Sequence, residues 1–171
     1  KAHPVFQATM YGGPDKIQPS LLLGKSAGGG RHSRRGFRHE FASALAALQH
    51  NVDPLIVFLV ATHHGKVRFS VRPIPQELKD REDIITIRGV AEGDVLPAIT
   101  FGSLSVPETK LSLKPLELGL QSDGTRSWAR TLLELIETYG VFRLAYLESL
   151  VRCADVTASI NEGKQHGGTR S

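Results

Sequence analysis

Apolar residues in this chain recur at helical spacing near both ends and alternate with polar ones in the middle. From Phe37 to Gln49, Phe41, Leu45 and Leu48 fall on one face, and Ala42, Ala46 and Ala47 beside them are small enough to admit a close neighbour. That spacing predicts a helix. The next predicted helix, Asn51 to His64, is apolar almost throughout. Asp53 suits its N-cap, Pro54 its first turn and Gly65 its stop. Lys1 to Ala8 reads as the end of a helix with Val5 and Phe6 inward. Further on, Ser127 to Tyr139 carries Trp128, Leu132, Leu135 and Ile136. Val141 to Ser159 carries Phe142, Ala145, Tyr146, Ser149, Leu150 and Ala154.

The alternating region differs in kind. Val67–Arg72, Ile85–Arg88 and Leu111–Leu113 alternate, and Pro73, Pro75, Pro97, Pro107 and Pro115 punctuate them. The expected fold is mainly α, with a short β-rich insertion at about 67–120. Residues 1–160 are expected to form a single domain and 161–171 a flexible tail. The glycine-rich stretch Gly24–Gly30 reads as a loop. It follows Pro19–Leu23 and contains Lys25-Ser26, so it looks like the end of a phosphate-binding loop. Pro19 stands where that motif needs glycine, and no strand-loop-helix context is evident.

Composition adds two constraints. The 171 residues suffice for a proper core, and no apolar run approaches the roughly 20 residues of a membrane span. Cys153 is the one cysteine, which excludes an internal disulfide and fits a reducing compartment; it reads as a small buried residue. The net charge of +4 is unevenly distributed: residues 1–72 hold ten Lys/Arg against three Asp/Glu, and residues 73–171 eleven against fourteen. The basic half suits a polyanion or an ordinary solvated face equally well.

The candidate chemistry lies at helix ends. His63 and His64 close the apolar helix, and two imidazoles there are costly unless something uses their nitrogens. Consecutive helical side chains point about 100° apart, so both reach one site only where the helix stops, and Gly65 places that stop. His39 lies early in one predicted helix and Asp155 late in the last. Alone, a histidine such as His39, beside Arg38 and Glu40, is more often a surface or satisfied core group than a ligand, and Asp155 reads as an exposed carboxylate or a helix-pairing charge. Together, three imidazoles and a carboxylate suit one or two divalent transition-metal ions (Mn, Fe, Co, Ni or Zn) better than Mg²⁺ or Ca²⁺.

These residues carry a family resemblance. Gly36-Phe37-Arg38-His39-Glu40, Ala61-Thr62-His63-His64-Gly65-Lys66-Val67-Arg68, Gly89-Val90 to Leu96-Pro97, and Phe142–Glu148 leading to Ala154-Asp155 and Ala158-Ser159 occur in this order. In that order the chain resembles the HD-type nuclease domain of type I CRISPR-associated helicase-nucleases, in the branch where it follows the helicase. The resemblance implies an HD-domain helical bundle and metal ligands at His39, His63, His64 and Asp155. It implies single-stranded DNA as substrate, with a helicase domain (which uses the ATP) and a guide-RNA surveillance complex as partners in a prokaryotic cytoplasm. Lys1 matches the lysine of the family's His-Asp-x-Gly-Lys motif and would sit beside the reacting phosphate; a His-Asp pair is then expected just upstream. Arg31, Arg34, Arg35, Arg38, Lys66 and Arg68 would guide the strand without reading its sequence. A nucleotide phosphohydrolase with the same ligands, or a docking module without a metal, are the rival expectations.

Overall fold

The computed structural model describes residues 1–18, 21–24, 32–65, 70–73, 77, 85–117 and 126–167. These are mainly α. They form helices α1 (Pro4–Tyr11), α2 (His39–Gln49), α3 (Pro54–Thr62), α4 (Trp128–Tyr139) and α5 (Val141–Gly167), with six short strands between α3 and α4.

Local chemistry sets most helix ends. Asp53 Oδ1 accepts the Leu55 N–H at 2.8 Å, with Pro54 in the first position of α3, and Ser127 Oγ accepts the Arg130 N–H at 3.2 Å to cap α4. Only residues 50–53 separate α2 from α3. The two helices therefore run back to back, and the start of α2 lies beside the end of α3. Phe41, Leu45, Val57, Phe58 and Ala61 meet between them, and Trp128, Leu132 and Leu135 of α4 and Leu144 of α5 complete the helical side of the core.

Several expected boundaries move. The first helix does not end at Ala8. It begins at Pro4, where His3 Nδ1 accepts the Val5 N–H at 3.1 Å, and runs to Tyr11, with Gly12 in the left-handed conformation at φ +75°. Phe37 and Arg38 precede α2: Arg38 is extended at φ −123°, its N–H bonds the Arg88 carbonyl at 3.0 Å, and its own carbonyl accepts the first helical bond, from the Ala42 N–H. Asn51–Asp53 and His63–His64 flank α3 instead of belonging to it. The last helix continues past Ser159 to Gly167, into the stretch expected to be a tail. The sets Phe142, Tyr146 and Leu150 lie on its outer side, Phe142 92 % exposed. Its inner stripe is instead Leu144, Leu147, Glu148, Val151, Asp155 and Ser159.

The β-rich insertion is confirmed over 86–110 as antiparallel ribbons: β1 (Thr86–Ile87) with β2 (Val90–Ala91), β3 (Val95–Leu96) with β6 (Thr109–Lys110), and β4 (Ile99–Phe101) with β5 (Leu104–Val106). The pairs Val95↔Lys110 and Ile99↔Val106 share one register, so β3 to β6 form one long hairpin. Its ladder breaks where Pro97 and Pro107 bring no N–H. The β1–β2 turn, Arg88 at φ +54° and Gly89 at φ +73°, is the two-residue type whose twist matches the strands. A Cβ on Gly89 would stand 2.3 Å from Phe37 Cα, so only glycine lets this turn rest on the segment that enters α2.

Asp94 locks the insertion to the rest. Its carboxylate accepts from the Ala91 N–H at 2.8 Å, from His3 Nε2 at 3.1 Å and from the Arg34 guanidinium. Burial opposes its ionisation, but the hydrogen bonds from His3, Arg34 and Ala91 outweigh that and hold the carboxyl well below the usual carboxylate range. Gln7, buried in α1, holds residues 21–24 in the same way: its side chain bonds the Leu23 N–H and carbonyl and the Lys1 carbonyl.

Candidate metal centre

The antiparallel α2–α3 pair brings His39, at the first position of α2, against His63 and His64, just past α3. Ring centroids lie 6.2 Å apart for His39–His63, 5.1 Å for His39–His64 and 4.1 Å for His63–His64. One ring nitrogen from each lies within 4.8 Å of the other two, and all three rings are half-buried. Three imidazole nitrogens so placed need little movement to sit about 2.1 Å from a common ion.

The hydrogen bonds and protonation fit such a donor set. His63 Nδ1 lies 2.7 Å from the Val60 carbonyl oxygen. A carbonyl only accepts, so Nδ1 carries the proton and the Nε2 lone pair is free to ligate. Burial first, and the adjoining positive groups second, push His39 down to about 3, so its ring is neutral throughout the physiological range. Burial, then His63, lowers His64 as well, while Glu40 and Asp155 pull it back. Neutral imidazoles are the form a borderline transition metal takes, and three of them leave coordination positions open for water or substrate.

Asp155, expected as the fourth ligand, is not in this tight group. It is half-buried on the inner stripe of α5, and its charge is felt at His64. Leu144 is the α5 residue in the core cluster, and Asp155 lies eleven residues further on, about 16 Å along the helix axis. Lys1 lies beside His39: its charge is one of those that lower the His39 ring, and it lines an apolar cavity of about 420 Å³ that His39 also borders.

On its other side His39 opens into a larger basin of about 990 Å³, lined by Arg34, Arg35, Arg38, His32, Glu40 and His64 among others. The arginines there are not equivalent. Arg34 is engaged internally with Asp94 and the Gly89 carbonyl, so it shapes the basin instead of offering a free guanidinium. Arg35 is exposed and Arg38 half-buried. Arg31, Lys66 and Arg68 lie outside the described residues. Cys153, expected to be buried, is exposed on α5.

Two residues that sequence reasoning passed over line this basin. His32 packs 5.7 Å from the Phe6 ring, with Nδ1 2.8 Å from Thr9 Oγ1. Glu40, next to His39, is 1 % exposed. Nothing in the local sequence distinguishes Glu40 from the ordinary acidic residue of a helix's first turn; only its burial does.

Comparison with known proteins gives no match, whether to a family model, a curated protein or a solved structure. Among the described residues, no helix is long and apolar enough to cross a membrane.

Proposed function

We propose that this chain is a metal-dependent nuclease domain of the HD helical-bundle type, cleaving single-stranded DNA in type I CRISPR interference beside a helicase domain in a prokaryotic cytoplasm. The observation that carries this reading is the meeting of His39, His63 and His64 at the edge of a basin lined by arginines. The ordered motifs described above supply the family; the geometry supports the metal chemistry.

His39, His63 and His64 would hold the ion, one of Mn, Fe, Co, Ni or Zn, with the Asp155 carboxylate acting on the site through its charge, which is felt at His64. Once bound, such an ion supplies Lewis acidity toward a phosphate oxygen and makes water acidic enough to attack phosphorus at neutral pH. The protein's own groups do the rest. The Val60 carbonyl fixes the His63 tautomer. Arg35 and Arg38 attract the strand's backbone into the basin, and Asp94 keeps Arg34 and the basin wall in place. Lys1 adds positive charge beside His39, where the phosphate's developing charge needs it.

The test is metal binding followed by substrate choice. The chain, dialysed against Mn²⁺, Co²⁺, Ni²⁺ or Zn²⁺, is expected to retain one or two ions. It should then cut single-stranded DNA in a chelator-sensitive, salt-sensitive manner, with mononucleotides far poorer substrates. Preference for mononucleotides would replace the nuclease with a small-molecule phosphohydrolase. Failure to bind any ion would leave a docking module.

A further inference from the structure

Glu40 is the strongest unexplained feature of the molecule. It occupies the first turn of α2, is 1 % exposed, and borders the same basin as His39 and His64. Its Oε2 lies 3.5 Å from His39 Nδ1. Its Oε1 is fully buried, makes no hydrogen bond among the described residues, and meets Arg38 Nη1 only at 4.0 Å. Contacts at 3.5 and 4.0 Å compensate a buried carboxylate only weakly, and the attraction of a helix N-terminus offsets a further fraction of the cost. The part of its charge left uncompensated calls for positive charge close by.

A divalent ion at the histidine cluster is a partner of the right charge. Three neutral imidazoles bring no negative charge to it. Glu40, directly behind one of them, is the fully buried carboxylate that does. We propose that Glu40 is a positioning residue of the metal centre: it receives the Nδ1–H of His39, turns the Nε2 lone pair to the ion, and offsets the ion's charge. His63 and His39 would then be oriented alike, the first by the Val60 carbonyl and the second by a carboxylate, the arrangement that raises an imidazole's strength as a ligand. Glu40 itself stays outside the group of ligand atoms, consistent with action through His39. This inference rests on the metal centre proposed above.

The test uses Co²⁺ as probe, with affinity by titration and the visible absorption of the bound ion as readouts. Glu40→Gln keeps the shape and removes the charge. It is expected to fold, to bind Co²⁺ about 10–100-fold more weakly and to shift the absorption bands, with Glu40→Asp recovering part of the affinity. Wild-type affinity and an unchanged spectrum in Glu40→Gln would overturn the inference while leaving the metal centre standing. No Co²⁺ binding by the wild-type chain would overturn the centre itself. Should Glu40→Gln fail to fold, the ¹⁵N spectrum of the Zn²⁺-loaded wild-type chain decides: His39 must carry its proton on Nδ1 and its metal on Nε2. The opposite tautomer would overturn the proposal.

Discussion

Two clusters in this molecule use the same side-chain types and end differently. Around Asp94, a carboxylate, a histidine and an arginine satisfy one another: His3 caps α1 with one nitrogen and meets Asp94 with the other, and Arg34 and the Ala91 N–H complete the carboxylate's shell. Around Glu40, a carboxylate, an arginine and three histidines do not close. The imidazoles crowd together with one nitrogen of each within 4.8 Å of the others, and one carboxylate oxygen lacks a hydrogen bond. The first cluster is a fastener joining α1, the basic segment and the insertion. The second is a set of donors arranged for something to be added. Polar groups buried with full shells stabilise a fold; those buried without them mark where function enters.

The sharpest way to break that contrast is His63→Ala. It should lower Co²⁺ or Zn²⁺ affinity at least about 100-fold and remove DNA cleavage, with helical content by circular dichroism unchanged, because His63 is half-buried at a helix end. Retained metal binding would put the ligand set elsewhere. Asp94→Ala should do the reverse. Removing the shared acceptor of buried His3 and Arg34 should lower unfolding free energy by about 3 kcal/mol in a urea titration, with a much smaller change in metal affinity. If metal affinity fell as far as stability, the two clusters would not be separable.

Acid sharpens the same comparison. The folded pKa of Asp94 lies below its unfolded value of about 3.9, so its contribution is complete above that pH and is lost as pH falls toward the folded value. Metal-free wild type should therefore lose stability below about pH 4, and Asp94→Asn should lack that component, as followed by fluorescence of Trp128. The smallest effect is expected from Asp155→Asn, which should weaken metal binding less than about 10-fold. A loss equal to that of His63→Ala would make Asp155 a ligand of the loaded site.

Caps and periods were readable one element at a time. Asp53 and Pro54 act within a turn of themselves, so their roles follow from local backbone chemistry alone. Pro97 and Pro107 likewise marked an interrupted region, although not that β3–β6 and β4–β5 keep a common register across the break. Boundaries set by distant partners were not readable. Arg38, the extended residue before α2, has its N–H bonded to Arg88, fifty residues away, and His3 begins a helix that the apolar pattern placed earlier. The inner face of α5 was missed for a related reason: its largest apolar residues, Phe142 and Tyr146, point outward, and the packed stripe is mixed in character.

The histidine pair at the end of an apolar helix, with a stop after it, was a property of residues adjacent in the chain, and its chemistry could be named from them. That His39 joins the pair, that Arg34 is paired with Asp94, and that Glu40 is buried with an oxygen unsatisfied depend on which helix ends and turns come to lie side by side. Distance along the chain carries no information about those encounters; they are decided by how α1, α2, α3 and the insertion pack, because burial and partner choice exist only once the chain has closed on itself.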